Sequence, residues 1–66
     1  MSELPLAPLK RIMNDNGAER VSEDGLKAFS KAVIAYAKIL AQESAKTAKY
    51  AGRKTVKESD IEFSLE

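Results

Sequence analysis

The side chains with chemistry to offer in this 66-residue sequence are mostly cations. Over residues 26–54, Lys27, Lys31, Lys38, Lys46, Lys49, Arg53 and Lys54 stand against Glu43 alone, a surplus of six positive charges. Residues 1–25 carry a net charge of −2 and residues 55–66 one of −3, so the formal total of +1 conceals a basic middle. A basic cluster on one segment is the electrostatic footprint of a polyanion binder. The competing reading is a solvated helix face, since exposed lysines keep their ammonium groups in water while their stems cover apolar surface. Catalysis has little to work with. His and Cys are absent, which removes imidazole bases, thiol nucleophiles and Cys/His zinc sites. There is no glycine-rich phosphate loop, and Glu23, Asp24, Asp60 and Glu62 stand where helix capping accounts for them. A binding protein is expected rather than an enzyme, with no cofactor and no metal.

Three helices and no strand are needed to carry these residues. Pro5 and Pro8 are tolerable only at or before a first turn. Leu9, Ile12 and Met13 then recur at helical spacing and Asn16-Gly17 reads as a stop, which predicts a short first helix over 8–16 and a loop over 17–21. Ser22 is a good N-cap, and Glu23 and Asp24 oppose the positive end of the helix dipole. From there to residue 51 no proline intervenes and alanine is abundant, so one long helix is predicted, ended by Gly52. With Lys27 at 0° and 100° per residue, Leu26, Phe29, Val33, Tyr36, Leu40, Thr47 and Ala51 fall near about 180–260°, while most of the cations fall near about 0–100°. Thr55 and Glu58 have capping-box spacing, predicting a third helix over 56–65 that buries Ile61 with Phe63 or Leu65.

Length then dictates association. A helix over 22–51 is about 45 Å long, whereas a compact globule of this chain length is roughly 28 Å across. Two short helices cannot cover its apolar face along that length, so a second copy is expected to supply the missing surface. The simplest solution is a two-fold obligate homodimer. A plain coiled coil or helical hairpin is the rival, but the spacing at 26, 29, 33, 36 and 40 runs into Glu43 and Ser44, leaving only two clean heptads. Residues 1–66 are expected to form one small domain, which at this size needs a partner, a metal or disulfides. The longest apolar run, 32–37, is far short of a membrane span, and 4–9 is too short and too proline-rich for a signal peptide. An intracellular, soluble protein is expected.

Several motifs together resemble an archaeal histone: Glu3-Leu4-Pro5-Leu6-Ala7-Pro8, Arg11-Ile12, Gly17-Ala18-Glu19-Arg20-Val21-Ser22, Ala51-Gly52-Arg53-Lys54-Thr55-Val56-Lys57 and Asp60-Ile61. The resemblance covers nearly the whole chain in the same order. It implies an all-α histone fold of short, long and short helices, with two chains clasped in a handshake dimer through crossed long helices. It implies binding, bending and compaction of double-stranded DNA without strong sequence preference, on the chromosome in the cytoplasm. Dimers of the family often join through four-helix contacts into tetramers or longer fibres. By the resemblance, Arg20 enters the minor groove, where narrowing concentrates negative potential. Thr55 steadies that arginine from the partner's second loop and reaches phosphate. Lys54 and Lys57 lie in the DNA-contacting set, as does Arg11 on the first helix, and helix-start N–H groups add phosphate contacts. Arg53 and Asp60 match a pair that clamps the second loop to the third helix; an exposed phosphate-binding Arg53 is the alternative.

Departures from the family pattern bear on assembly. A histidine is common near the end of the long helix, and Tyr50 stands there in this chain, with Thr47, Asp60 and Phe63 at the neighbouring dimer–dimer contact positions. Thr47 replaces an expected apolar residue, and no basic tail is expected after Glu66. Dimers or discrete tetramers that stack poorly into long fibres are therefore expected, and mixed dimers with related chains remain open. The stripe of Lys27, Lys31 and Lys38 is read either as solvated or as a contact for a second duplex. A dimerisation scaffold that binds no DNA is the alternative function, since fold alone does not settle activity.

Overall fold

The computed structural model describes residues 4–65, so Glu3 of the leading motif and Glu66 lie outside the described residues. The elements are three helices, α1 (Leu6–Asp15), α2 (Glu23–Tyr50) and α3 (Glu58–Ser64), with no strand among the described residues. None of the helices is long and apolar enough to cross a membrane. Packing divides the chain into two units, with the boundary inside α2 between Ala35 and Tyr36.

In the first unit α1 begins two residues before the predicted start and ends one residue before the predicted end. Pro8 sits at the third helical position, where its missing N–H is one of the donors that lack an intrahelical acceptor in any case. The helix ends in a Schellman arrangement: Ala18 N–H donates to the Met13 carbonyl (3.0 Å) and Gly17 N–H to the Asn14 carbonyl (3.3 Å). Gly17 adopts φ 105°, which a side chain would oppose. Ser22 Oγ accepts the Gly25 N–H at 2.9 Å and so caps α2. Leu9, Leu26 and Ser30 are buried, with Met13, Phe29 and Val33 half-buried and Ile12 exposed.

In the second unit α2 closes on the same device. Arg53 N–H donates to the Ala48 carbonyl (2.9 Å) and Gly52 N–H to the Lys49 carbonyl (2.9 Å), with Gly52 at φ 74°. The third helix differs from expectation at its start and on its buried face. It begins at Glu58, not 56, and Thr55 with Glu58 forms no capping box: Lys57 is the N-cap residue, and its N–H is taken by the Asp60 carboxylate at 2.7 Å. The reason is tertiary, since Asp60 is also the partner of Arg53 and turns the chain into helix where that pairing requires it. Asp60, at 1% exposure, takes the buried position of α3. The apolar residues expected there do not: Ile61 is 40% exposed, Phe63 66% and Leu65 58%. The α2 side chains buried in this unit, Ser44 and Ala48, are small, and an open groove of about 330 Å³ remains between Ala37, Leu40, Ala41, Ser44, Val56 and Ile61. The long-helix apolar face is likewise part-covered. Leu26 is buried and Phe29, Val33, Leu40 and Thr47 are half-buried, whereas Tyr36 and Ala51 are exposed.

Candidate nucleic-acid interface

The second loop, 51–57, is held by one side chain at its start. The Arg53 guanidinium lies across the Asp60 carboxylate in a two-point contact, Nη1 to Oδ2 and Nη2 to Oδ1, both 2.9 Å. Its Nη1 also donates to the Thr55 carbonyl at 2.8 Å, so the arginine fastens the loop backbone as well as α3. A planar guanidinium matches a carboxylate in this way where an ammonium does not. The hydrogen bond from Arg53, then that from the Lys57 N–H, holds the Asp60 carboxyl down from 3.8 to about 2. The same hydrogen bond raises Arg53 above its ordinary value. Arg53 thus spends its charge on Asp60 rather than at the surface, which disfavours reading it as a free phosphate contact.

With the loop so tied, Lys54, Thr55 and Lys57 are all exposed. Among the described residues neither lysine is in an ion pair. In the first unit, Arg20 and Arg11 are exposed and equally unpaired among the described residues. The first loop is fastened by an amide that sequence reasoning overlooks: Asn14 Nδ2 donates to the Ala18 carbonyl at 2.8 Å and, more weakly, to that of Glu19 at 3.4 Å. An asparagine in the last turn before an Asn-Gly stop is the signal that was available. Of the two helix starts expected to meet phosphate, α2 has Glu23 and Asp24 in its first turn, next to its cap, and α1 has no acidic residue there. Orphan N–H groups at the start of α1 are therefore the less opposed of the two for an approaching phosphate.

The four positions expected at a dimer–dimer contact are placed differently from one another. Tyr50 is 91% exposed and Phe63 is exposed. The Thr47 hydroxyl bonds back to the Glu43 carbonyl at 3.1 Å. Asp60 is buried with both oxygens engaged, so it presents no surface of its own. No group of three or more potential metal ligands occurs among the described residues.

Helix order, the two glycine-closed loops and the arginine–aspartate tie define an all-α class of short, long and short helices. Residues 2–65 match the family described as histone-like transcription factor (CBF/NF-Y) and archaeal histone. The chain is 43% identical over 65 residues to one of the subunits of archaeal histone HAN1 from Thermococcus zilligii, covering 98% of this chain and 97% of the relative. It is 46% identical over 65 residues to probable archaeal histone 3 of Methanocaldococcus jannaschii, with the same shares of 98% and 97%. The chain belongs to the archaeal histone family, and its three helices are a histone fold, for which the handshake dimer is the known arrangement. The family is one of structural DNA-binding chromatin proteins, not enzymes.

Proposed function

We propose that this protein binds duplex DNA with little sequence preference and bends and compacts it as a handshake homodimer on the chromosome, in the cytoplasm. The observation that carries the reading is the second loop, in which Lys54 and Thr55 are exposed beside the part-buried Arg53–Asp60 pair. Dimerisation alone has no need of free cations there. Arg20 is the residue for the minor groove, where a guanidinium gains most from the concentrated negative potential. Arg11, Lys54, Thr55 and Lys57 are phosphate contacts that set position and not sequence.

Support for a second copy comes from exposed apolar surface. At about 1.5 Å per residue the 28-residue α2 runs about 42 Å. Tyr36, Ile39, Ile61 and Phe63 all stay exposed, and the groove of the second unit contains the buried Ser44 Oγ without a hydrogen-bond partner. Exposed Tyr50 and Phe63 are the candidates for joining dimers into discrete tetramers, with Thr47 one turn before Tyr50 on α2 and Asp60 acting through its hold on α3. The HAN1 relative is named as one subunit of its histone, so pairing with a related chain is an alternative to the homodimer.

A salt titration tests the function. The logarithm of duplex affinity should fall linearly with that of salt concentration, and random duplexes of equal length should differ little. The same exposed apolar surface favours a second reading, a dimerisation scaffold without DNA; it predicts a dimer mass in solution that duplex leaves unchanged.

A further inference from the structure

Away from the loops, the longest row of like charge lies on the shaft of α2. At 100° per residue, Lys27, Lys31, Lys38 and Lys49 fall within about 40° of one another, and all four are exposed. The three acidic residues of α2 are placed elsewhere or already occupied. Glu23 lies 3.8 Å from Lys27 and Glu43 lies 3.9 Å from Lys46, while Asp24 precedes the row. Among the described residues Lys31, Lys38 and Lys49 are in no ion pair. Alternating signs at i, i+4 spacing mark a solvent-exposed, ion-paired helix face. Here the only acid between Lys27 and Lys49 is Glu43, more than about 100° around the helix from the row.

We propose that this lysine row is a second contact surface for duplex DNA, distinct from the loops, so that one assembly joins two duplexes. The inference rests on the duplex-binding reading above. The row's length favours a duplex over a short acidic partner. Lys27 to Lys49 covers 22 residues, about 33 Å of helix, and a duplex presents about one charge per 1.7 Å of its axis. The acidic surface that another copy offers on α3 is one turn long, Glu58 and Glu62, because Asp60 is committed to Arg53. Position helps as well: the row lies roughly opposite the apolar face of α2, so covering that face leaves the lysines open. Ammonium groups on flexible stems meet phosphates without demanding a base sequence.

The test compares bridging with single-duplex binding. Bead-bound duplex captures a second, labelled duplex through the protein, while fluorescence anisotropy follows one short duplex. Combining Lys31→Glu, Lys38→Glu and Lys49→Glu should reduce capture by about tenfold or more and leave single-duplex affinity within about twofold. The corresponding Lys→Gln triple, shown helical by circular dichroism, should reduce capture in the same direction with less strain on the fold. Capture unchanged by either triple overturns the proposal, as does a parent protein that binds one duplex yet captures no second. Equal losses in both assays overturn it too, because the row then belongs to the path of the first duplex. A triple that lowers the DNA-free oligomer mass along with capture assigns the row to a protein contact and overturns it. If the parent binds no duplex at all, the function reading itself fails, and this inference fails with it.

Discussion

The two loops that flank α2 share a backbone device and differ in what holds them. Each follows a helix closed by the same pair of carbonyl contacts and a glycine at positive φ. Beyond that point the first loop is tied by a neutral amide, Asn14, at an exposed position, and the second by a part-buried, two-point ion pair. A neutral local tie responds weakly to pH and salt. An ion pair between residues seven apart responds to both partners and couples the loop to a separate helix. The loop with the most exposed DNA-contact candidates, Lys54, Thr55 and Lys57, is thus the one fixed from outside itself.

The largest effect expected from breaking this contrast is Asp60→Ala, which leaves the Arg53 guanidinium without its carboxylate partner and frees the Lys57 N–H. Thermal melts at fixed protomer concentration should show a greater drop in Tm than for any other substitution named here, and Asn14→Ala should not approach it. The acid limb sharpens the same point. Because the Asp60 carboxyl is held near about 2 when folded, its contribution is complete above the ordinary carboxylate value and is lost as pH falls through the folded one. Stability of the parent relative to Asp60→Asn should therefore decline between about pH 4 and pH 2 and stay level above.

Next in size is the split between the loops' two cations. Arg20→Ala should lower the yield of ligated small DNA circles by roughly tenfold, while Lys54→Ala should weaken all duplexes alike and reduce the salt slope by about one. Equal behaviour of the two variants would erase the distinction between a groove-inserted arginine and a phosphate-bound lysine. Smaller again are the glycines: alanine at Gly17 or Gly52 should cost about 1–2 kcal/mol, more at Gly17, whose φ of 105° lies further from the left-handed helical value than the 74° of Gly52. Asn14→Ala should be smallest, below about 1 kcal/mol, since an exposed hydrogen bond is partly replaced by water and alanine favours the helix.

Legibility follows the same division. Ser22 as a cap, Gly17 and Gly52 as stops and the unbroken α2 are readable because each depends on residues within one turn. The start of α1 is misread by two residues because Pro8 is acceptable deeper in the first turn than its ring suggests. Of the candidate site, the motif resemblance points to Arg20, Lys54 and Thr55, whereas Asn14 escapes notice since its role is to bond a loop carbonyl.

Composition, periodicity and caps by themselves determine that this chain is three helices with a basic middle and a long helix needing cover. They do so because hydrophobic spacing and end-capping are local properties of a strand of residues. Only the tertiary structure decides that α3 begins at Glu58 and turns Asp60 inward while Ile61, Phe63 and Leu65 stay at the surface. That choice depends on where the Arg53 guanidinium lies in space, and a buried charge takes its place according to its partner and not its neighbours along the chain.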